Sequence, residues 1–164
     1  AALLHDVGLH VEHRRHHRHS AYLILHGGLR GFTAREIRLV AAVARYHRKA
    51  PPRSRHPEFG ALRKRDRQVV RALAGLLRIA DGLDRGHNQV VEAAHCRVRD
   101  GQASFHVLTW HDAELELWGA RRKANLFEDV FGVEAHFQLE TPDGAVQPDS
   151  GTLAAAPEPS LQAG

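Results

Sequence analysis

The sequence predicts a mainly α chain that closes in a small antiparallel α+β module. Three observations predict it. Over residues 1–93 apolar residues recur at three- and four-residue spacing between helix caps and breakers. From about Ala94 the spacing switches to alternation, with Asp100-Gly101 as a two-residue hairpin turn. After Glu140 the chain turns rich in Pro, Gly, Ala and Ser. The expected organisation is therefore a helical domain at 1–93, an α+β module at 94–140 and a disordered tail at 141–164.

The elements follow in order. Ala1 to Asp6 reads as the end of a helix, with Gly8 as its stop. Residues 9–15 form a polar connection. A second helix is expected from about His16 to His26, closed by Gly27-Gly28, with Tyr22, Leu23 and Ile24 apolar and His19 sharing their face. Thr33-Ala34-Arg35-Glu36 is a capping box and starts a third helix. Its buried stripe runs through Ile37, Val40, Ala41 and Ala44, and His47 continues it. Pro51-Pro52 breaks the chain into a loop over 51–58. A fourth helix, Asp66 to Leu83, carries Val69, Val70, Leu73, Leu76, Leu77 and Ala80, with Asp81 four past Leu77. His95–Arg99 and Ala103–Leu108 read as the hairpin strands, and Leu115–Trp118 as a further strand. Ala120 to Phe131 reads as a helix ended by Gly132, and Val133–Leu139 as the last strand.

Composition narrows the function classes. The 164 residues are 43% hydrophobic and 26% charged, as in a globular protein. No apolar run approaches the roughly 20 residues of a membrane helix. Cys96 is the single cysteine, which rules out an internal disulfide and fits a cytoplasmic location. There is no methionine, and the chain starts mid-pattern, so it reads as part of a longer protein. The net charge of +4 is gathered in His13–His19, Arg45–Lys49 and Arg63–Arg67. Such clusters attract phosphates. Aromatic content is only 6%, too sparse for the stacking that single-stranded nucleic-acid binders use, so small phosphorylated ligands rank first and nucleic acid last.

The chemistry centres on Leu3-Leu4-His5-Asp6-Val7-Gly8. An adjacent imidazole and carboxylate offer a divalent cation one nitrogen and one oxygen. His19, His47 and Asp81 are each a polar residue continuing an apolar stripe on a different helix, an expensive placement unless paired or coordinated. With His5 and Asp6 they make five metal-type ligands converging on one helical core.

These residues resemble a known superfamily. His5-Asp6, His19-Ser20, Tyr46-His47 and Ala80-Asp81-Gly82 in this order look like the His-Asp (HD) metal-dependent phosphohydrolases. His17-Arg18-His19-Ser20-Ala21-Tyr22 and Arg45-Tyr46-His47-Arg48-Lys49 are similar to the C-terminal half of exopolyphosphatases of the Ppx/GppA family, and Leu115–Trp118 with Leu126-Phe127-Glu128 fits that family's tail region. The resemblance covers about residues 1–140. It implies an HD-type helical bundle in which His5, Asp6, His19, His47 and Asp81 hold a divalent ion such as Mg or Mn, with Asp6 and Asp81 as the catalytic carboxylates. The family's first histidine would lie before Ala1. It further implies that Arg15, Arg18, Arg48 and Lys49 hold additional phosphates. The implied activity is release of phosphate from polyphosphate or guanosine pentaphosphate. Exopolyphosphatases of the family hydrolyse phosphate at an actin-like ATPase domain pair upstream, so the resemblance equally implies an alternative: a non-catalytic domain that binds polyphosphate and dimerises the parent enzyme.

Overall fold

A computed structural model describes residues 1–141 and 146–147. Most of the expected tail therefore lies outside the described residues. The N-terminal His-Asp stretch forms two 3-10 turns, Ala2–Leu4 and Val7–His10, where a helix end was expected. The reason is packing. The backbone at Gly8 lies so close to the following helix that a methyl there would sit 2.2 Å from the His16 carbonyl oxygen and 2.4 Å from the Ser20 nitrogen. The Gly8 N–H donates to Ser20 Oγ at 2.9 Å. This helix, α1 (His16–His26), occupies the expected range.

Helix α2 (Ala34–Arg45) starts at the predicted capping box, with Glu36 N–H donating to Thr33 Oγ1 at 3.3 Å and Thr33 N–H to Glu36 Oε2 at 2.8 Å. Its stripe meets α1, so that Ala21, Ile24, Ala41 and Ala44 form one small core with Ile37 and Val40 at its edge. A single turn, α3 (Pro57–Gly60), seats Phe59 beside Tyr46. Helix α4 (Lys64–Leu83) buries Val70, Ala74, Leu77, Ile79 and Leu83. Leu73 and Leu76, expected in the core, are 47% and 45% exposed, and Ala80 is also exposed. Helix α4 packs against α2 and the later helices, and the face carrying these three is left open among the described residues.

Strands β1 (Val91–Arg99) and β2 (Gln102–Thr109) form the predicted hairpin. Asp100 and Gly101 hold φ of 48° and 78°, which makes Asp-Gly the natural choice there. The Leu115–Trp118 strand is overturned: this segment lies in α5 (Glu114–Lys123), which buries Ala113, Leu117, Ala120 and Ala124 at helical spacing. Helix α6 (Asn125–Phe131) follows directly and ends on Gly132 in the left-handed region.

The two helices carry the chain back across the sheet, so β3 (Glu134–Glu140) pairs with β2 in parallel. With β4 (Val146–Gln147) antiparallel to β3, the sheet order is β1-β2-β3-β4 and the sheet is mixed, not antiparallel as expected. Phe105 and Phe137, on neighbouring parallel strands, stack at 4.8 Å, and Phe127 meets Phe105 edge-on. Ile79 and Leu83 of α4 belong to this same core, which ties the helices to the sheet.

Candidate metal centre

Three imidazoles and two carboxylates converge where the 3-10 turns, α1, the C-terminal end of α2 and α4 meet. Each imidazole is aimed by one device. Its Nδ1 lies against the backbone carbonyl three residues earlier: His5 on Ala2 at 2.6 Å, His16 on His13 at 3.0 Å and His47 on Ala44 at 2.7 Å. The carbonyl accepts, so Nδ1 carries the proton; on His16 and His47 Nε2 then presents its lone pair, while His5 Nε2 faces the Asp81 carboxylate.

The Nε2 atoms gather around Asp6. His16 Nε2 is 3.1 Å and His47 Nε2 3.5 Å from Asp6 Oδ1, and the two nitrogens are 3.2 Å apart. His5 Nε2 is 3.4 Å from Asp6 Oδ2 and 3.6 Å from Asp81 Oδ1. Two ligand triads result, Asp6–His16–His47 and His5–Asp6–Asp81, sharing Asp6.

The first triad is unsatisfied in a way that fits a cation. Asp6 Oδ1 is buried and accepts no hydrogen bond. Two imidazole nitrogens face it and each other with acceptor character; Arg48 meets the one on His16 at 3.1 Å, and the buried Asp6 oxygen is still left without a donor, which costs energy unless something positive sits beside it. A proton is a poor candidate. Burial lowers the pKa of His16 and pushes His47, 1% exposed, down to about 4. Divalent ions with nitrogen–oxygen preference match this donor set. The donors present fit such an ion.

The second triad is already compensated. Lys123, from α5, sets its ammonium on Asp81 Oδ2. Burial pushes the Asp81 carboxyl up, but the hydrogen bonds from His5 and Lys123 outweigh it and hold the group well below the ordinary carboxylate range. His5 is raised by the same bond to Asp81.

The surrounding residues hold this geometry. Arg78, 6% exposed, donates to the carbonyls of Tyr46 and Lys49 at 3.3 and 3.0 Å, pinning the turn that carries His47 onto α4. Buried Glu116 accepts the Gly86 N–H at 3.0 Å and so fixes the loop that carries Arg85 and His87. The resulting cavity, about 150 Å³, is lined by Asp6, His16, His47, Asp81 and Lys123 with Arg48, Arg85 and His87 among its polar walls.

Four of the five expected ligands are thus brought together, and His19 is not. Its Nε2 faces Glu12 Oε2 at 3.3 Å on the outer side of α1. His16, one turn earlier, takes the place. The buried face of α1 is His16, His17, Ser20, Ala21 and Ile24, so the guiding stripe was the small Ser20-Ala21 pair with Ile24, not the larger Tyr22, which is 62% exposed. Of the expected phosphate ligands, Arg48 lines the cavity, 3.1 Å from His16 Nε2. Arg18 lines a separate cavity of about 660 Å³ with Arg38 and Arg45, while Arg15 and Lys49 are exposed and line neither. Lys123 escaped sequence reasoning altogether. It closes the basic run Arg121-Arg122-Lys123, which reads as the charged end of any helix.

Fold and site together define an α+β domain that gathers three histidines and two aspartates at a basic, polar cavity. The family model for the Ppx/GppA phosphatase, domain III, matches residues 1–117, and the chain belongs to that family. It is 34% identical over 79 residues to the guanosine-5'-triphosphate,3'-diphosphate pyrophosphatase of Pseudoalteromonas translucida (strain TAC 125), an alignment covering 48% of this chain and 15% of that protein. It is 33% identical over 81 residues to the protein of the same name from Pseudoalteromonas atlantica (strain T6c / ATCC BAA-1087), with 49% and 15% covered. The matched part of the chain therefore spans about 15% of the length of these relatives. Among the described residues no helix is long and apolar enough to cross a membrane.

Proposed function

We propose that this domain is an HD-type phosphohydrolase module that holds a divalent ion, Mg or Mn, at Asp6, His16 and His47 and takes the terminal phosphates of polyphosphate or of a phosphorylated guanosine nucleotide. The observation that carries it is the orphaned, buried Asp6 Oδ1 facing two imidazoles whose protons are tied up on backbone carbonyls. Bound there, the ion would supply Lewis acidity toward a phosphate oxygen and lower the pKa of a coordinated water. Arg48 and Arg85 on the cavity wall offer guanidinium donors to the phosphate oxygens. The names of the two relatives, both guanosine pentaphosphate pyrophosphatases, support the guanosine substrate over polyphosphate alone.

One observation favours a second reading. Lys123 already neutralises Asp81, which leaves that residue less free to serve a reacting phosphate. On this reading the domain binds polyphosphate and helps dimerise its parent protein, and the ion is structural. Metal content by elemental analysis, beside phosphate release from polyphosphate and guanosine pentaphosphate, separates the two for the wild type and an Asp6→Ala variant. Metal and activity lost together support catalysis in this domain. Metal lost with activity intact leaves the binding role. No metal in the wild type refutes the metal-dependent reading.

A further inference from the structure

The two triads that share Asp6 are chemically unlike, and the difference comes from outside the segment matched by the family model. That match ends at residue 117. Lys123 lies six residues beyond it on α5. Its position is set by backbone contact rather than by its own flexibility. Helix α5 crosses α4 at Gly82 and Gly119, where the chains touch so closely that a methyl on Gly82 would sit 2.6 Å from Ala120 Cα, and one on Gly119 2.6 Å from the Gly82 carbonyl oxygen. Lys123 follows Gly119 by one helical turn, and Asp81 precedes Gly82 by one residue. The crossing therefore delivers the ammonium to the carboxylate, and only small residues at the crossing permit it.

The consequence lies in how each oxygen is satisfied. Asp81 Oδ2 receives the Lys123 ammonium and Asp81 Oδ1 faces His5. Lys123 is 19% exposed and Asp81 11%, so this pair is largely shielded from water and holds its geometry better than a surface pair. Asp6 Oδ1, in the other triad, accepts no hydrogen bond. The carboxylate of one half has its own cation, whereas Asp6 Oδ1 has none: Arg48, 3.1 Å from His16 Nε2, meets the imidazole and not the carboxylate.

We propose that Lys123 stands in for a second metal: the centre takes a single divalent ion at Asp6–His16–His47, and the lysine ammonium closes His5–Asp6–Asp81 to another. The argument rests on the metal-binding reading above, which it deepens by fixing the number of ions and the residue that sets it. A fixed monovalent charge in the second position keeps Asp81 ordered without competition from a mobile ion. It also places a hydrogen-bond donor on the wall of the cavity, 42 residues away in sequence from the acid it serves. The two carboxylates bring two negative charges to the centre and Lys123 cancels one. Replacing it with an uncharged side chain leaves Asp81 facing His5 alone and frees its Oδ2 beside Asp6 and the imidazoles, the kind of donor set that two-metal sites use.

The test counts manganese bound per chain, by calorimetric titration with elemental analysis of the dialysed protein, in the wild type, Lys123→Met and Lys123→Arg. Methionine keeps the length and removes the charge. The expected result is one ion in the wild type, two in Lys123→Met and one in Lys123→Arg. One ion in both the wild type and Lys123→Met overturns the role of Lys123 and leaves the metal-binding reading standing. No ion in the wild type with one or more in Lys123→Met overturns the proposal, since the native centre then holds no ion at Asp6–His16–His47. No ion in either refutes both. Electron paramagnetic resonance of the manganese-saturated wild type gives a reading that does not need the variant to fold. An isolated six-line spectrum is expected, and the spectrum of a spin-coupled pair overturns the proposal.

Discussion

Gly8→Ala is the sharpest perturbation of the link between fold and centre. The added methyl would meet the His16 carbonyl oxygen at 2.2 Å, the Ser20 nitrogen at 2.4 Å and the His19 Cβ at 2.8 Å, all far inside van der Waals contact. Two of these are helix backbone atoms, so relief requires the 3-10 turn and α1 to separate by about 1 Å. Overpacking of this kind costs about 1–3 kcal/mol. Separation also weakens the Gly8 N–H to Ser20 Oγ bond, a buried donor whose loss adds about 1 kcal/mol. The sum is about 2–4 kcal/mol, which for a chain of this size lowers Tm by roughly 10 °C. The same displacement carries Asp6 away from His16 and His47, so metal affinity should fall together with stability. Differential scanning calorimetry and manganese titration on one preparation check both, with Leu3→Ala as the neutral control, since Leu3 is 98% exposed. A Gly8→Ala protein with unchanged Tm refutes the close packing. One with lowered Tm but unchanged metal affinity refutes the idea that this packing positions the ligands.

Three further outcomes are expected. His16→Ala removes bound metal while His19→Ala retains it, as elemental analysis will show, because only His16 faces Asp6. Thr33→Ala removes the accepting oxygen of the α2 capping box and lowers unfolding free energy by about 1 kcal/mol in denaturant titration. The Arg35 guanidinium, 2.5 Å from buried Asp66, lowers that carboxyl's pKa. The native carboxylate is therefore stabilised relative to the unfolded one, and its contribution is present above about pH 3.8 and lost as pH falls through the lower native value. The stability gap between wild type and Asp66→Asn should be full at neutral pH and close on acidification.

Local chemistry explains what could be read from the sequence. The capping box at Thr33, the α1 limits at Gly27 and the Asp-Gly turn are decided by neighbouring residues, and each was legible. His47 was legible because it extends a stripe of small residues that has no other continuation. The failures come from decisions that sequence neighbours do not make. Leu115–Trp118 carries alternation and helical spacing at once, and burial of Ala113, Ala120 and Ala124 against α4 chooses the helix. That single choice reverses the sheet: with a helix pair between β2 and β3 the return is a crossover, and the strands pair in parallel. The apolar weight of Tyr22 and Leu23 hid the inner face of α1, because a helix that must lie close to a glycine turn buries its small residues and exposes its large one.

The same argument bears on how the centre is specified. Its aiming device, an imidazole Nδ1 on the carbonyl three residues earlier, is wholly local and occurs three times. A local device can point a side chain, but it does not choose what the side chain points at. That choice lies in two glycine contacts, Gly8 on α1 and Gly82 against Gly119 and Ala120. The first brings Asp6 to the histidines of α1 and α2, creating the unsatisfied oxygen. The second brings Lys123 to Asp81, removing the other one. A substitution at Gly82 should therefore act as a remote version of Lys123→Met, loosening the ammonium without touching any ligand. Gly82→Ala is expected to lower Tm through overpacking at the helix crossing. It is also expected to raise manganese stoichiometry above one, whereas a fall in Tm with the stoichiometry held at one would show that Lys123 finds Asp81 without the crossing.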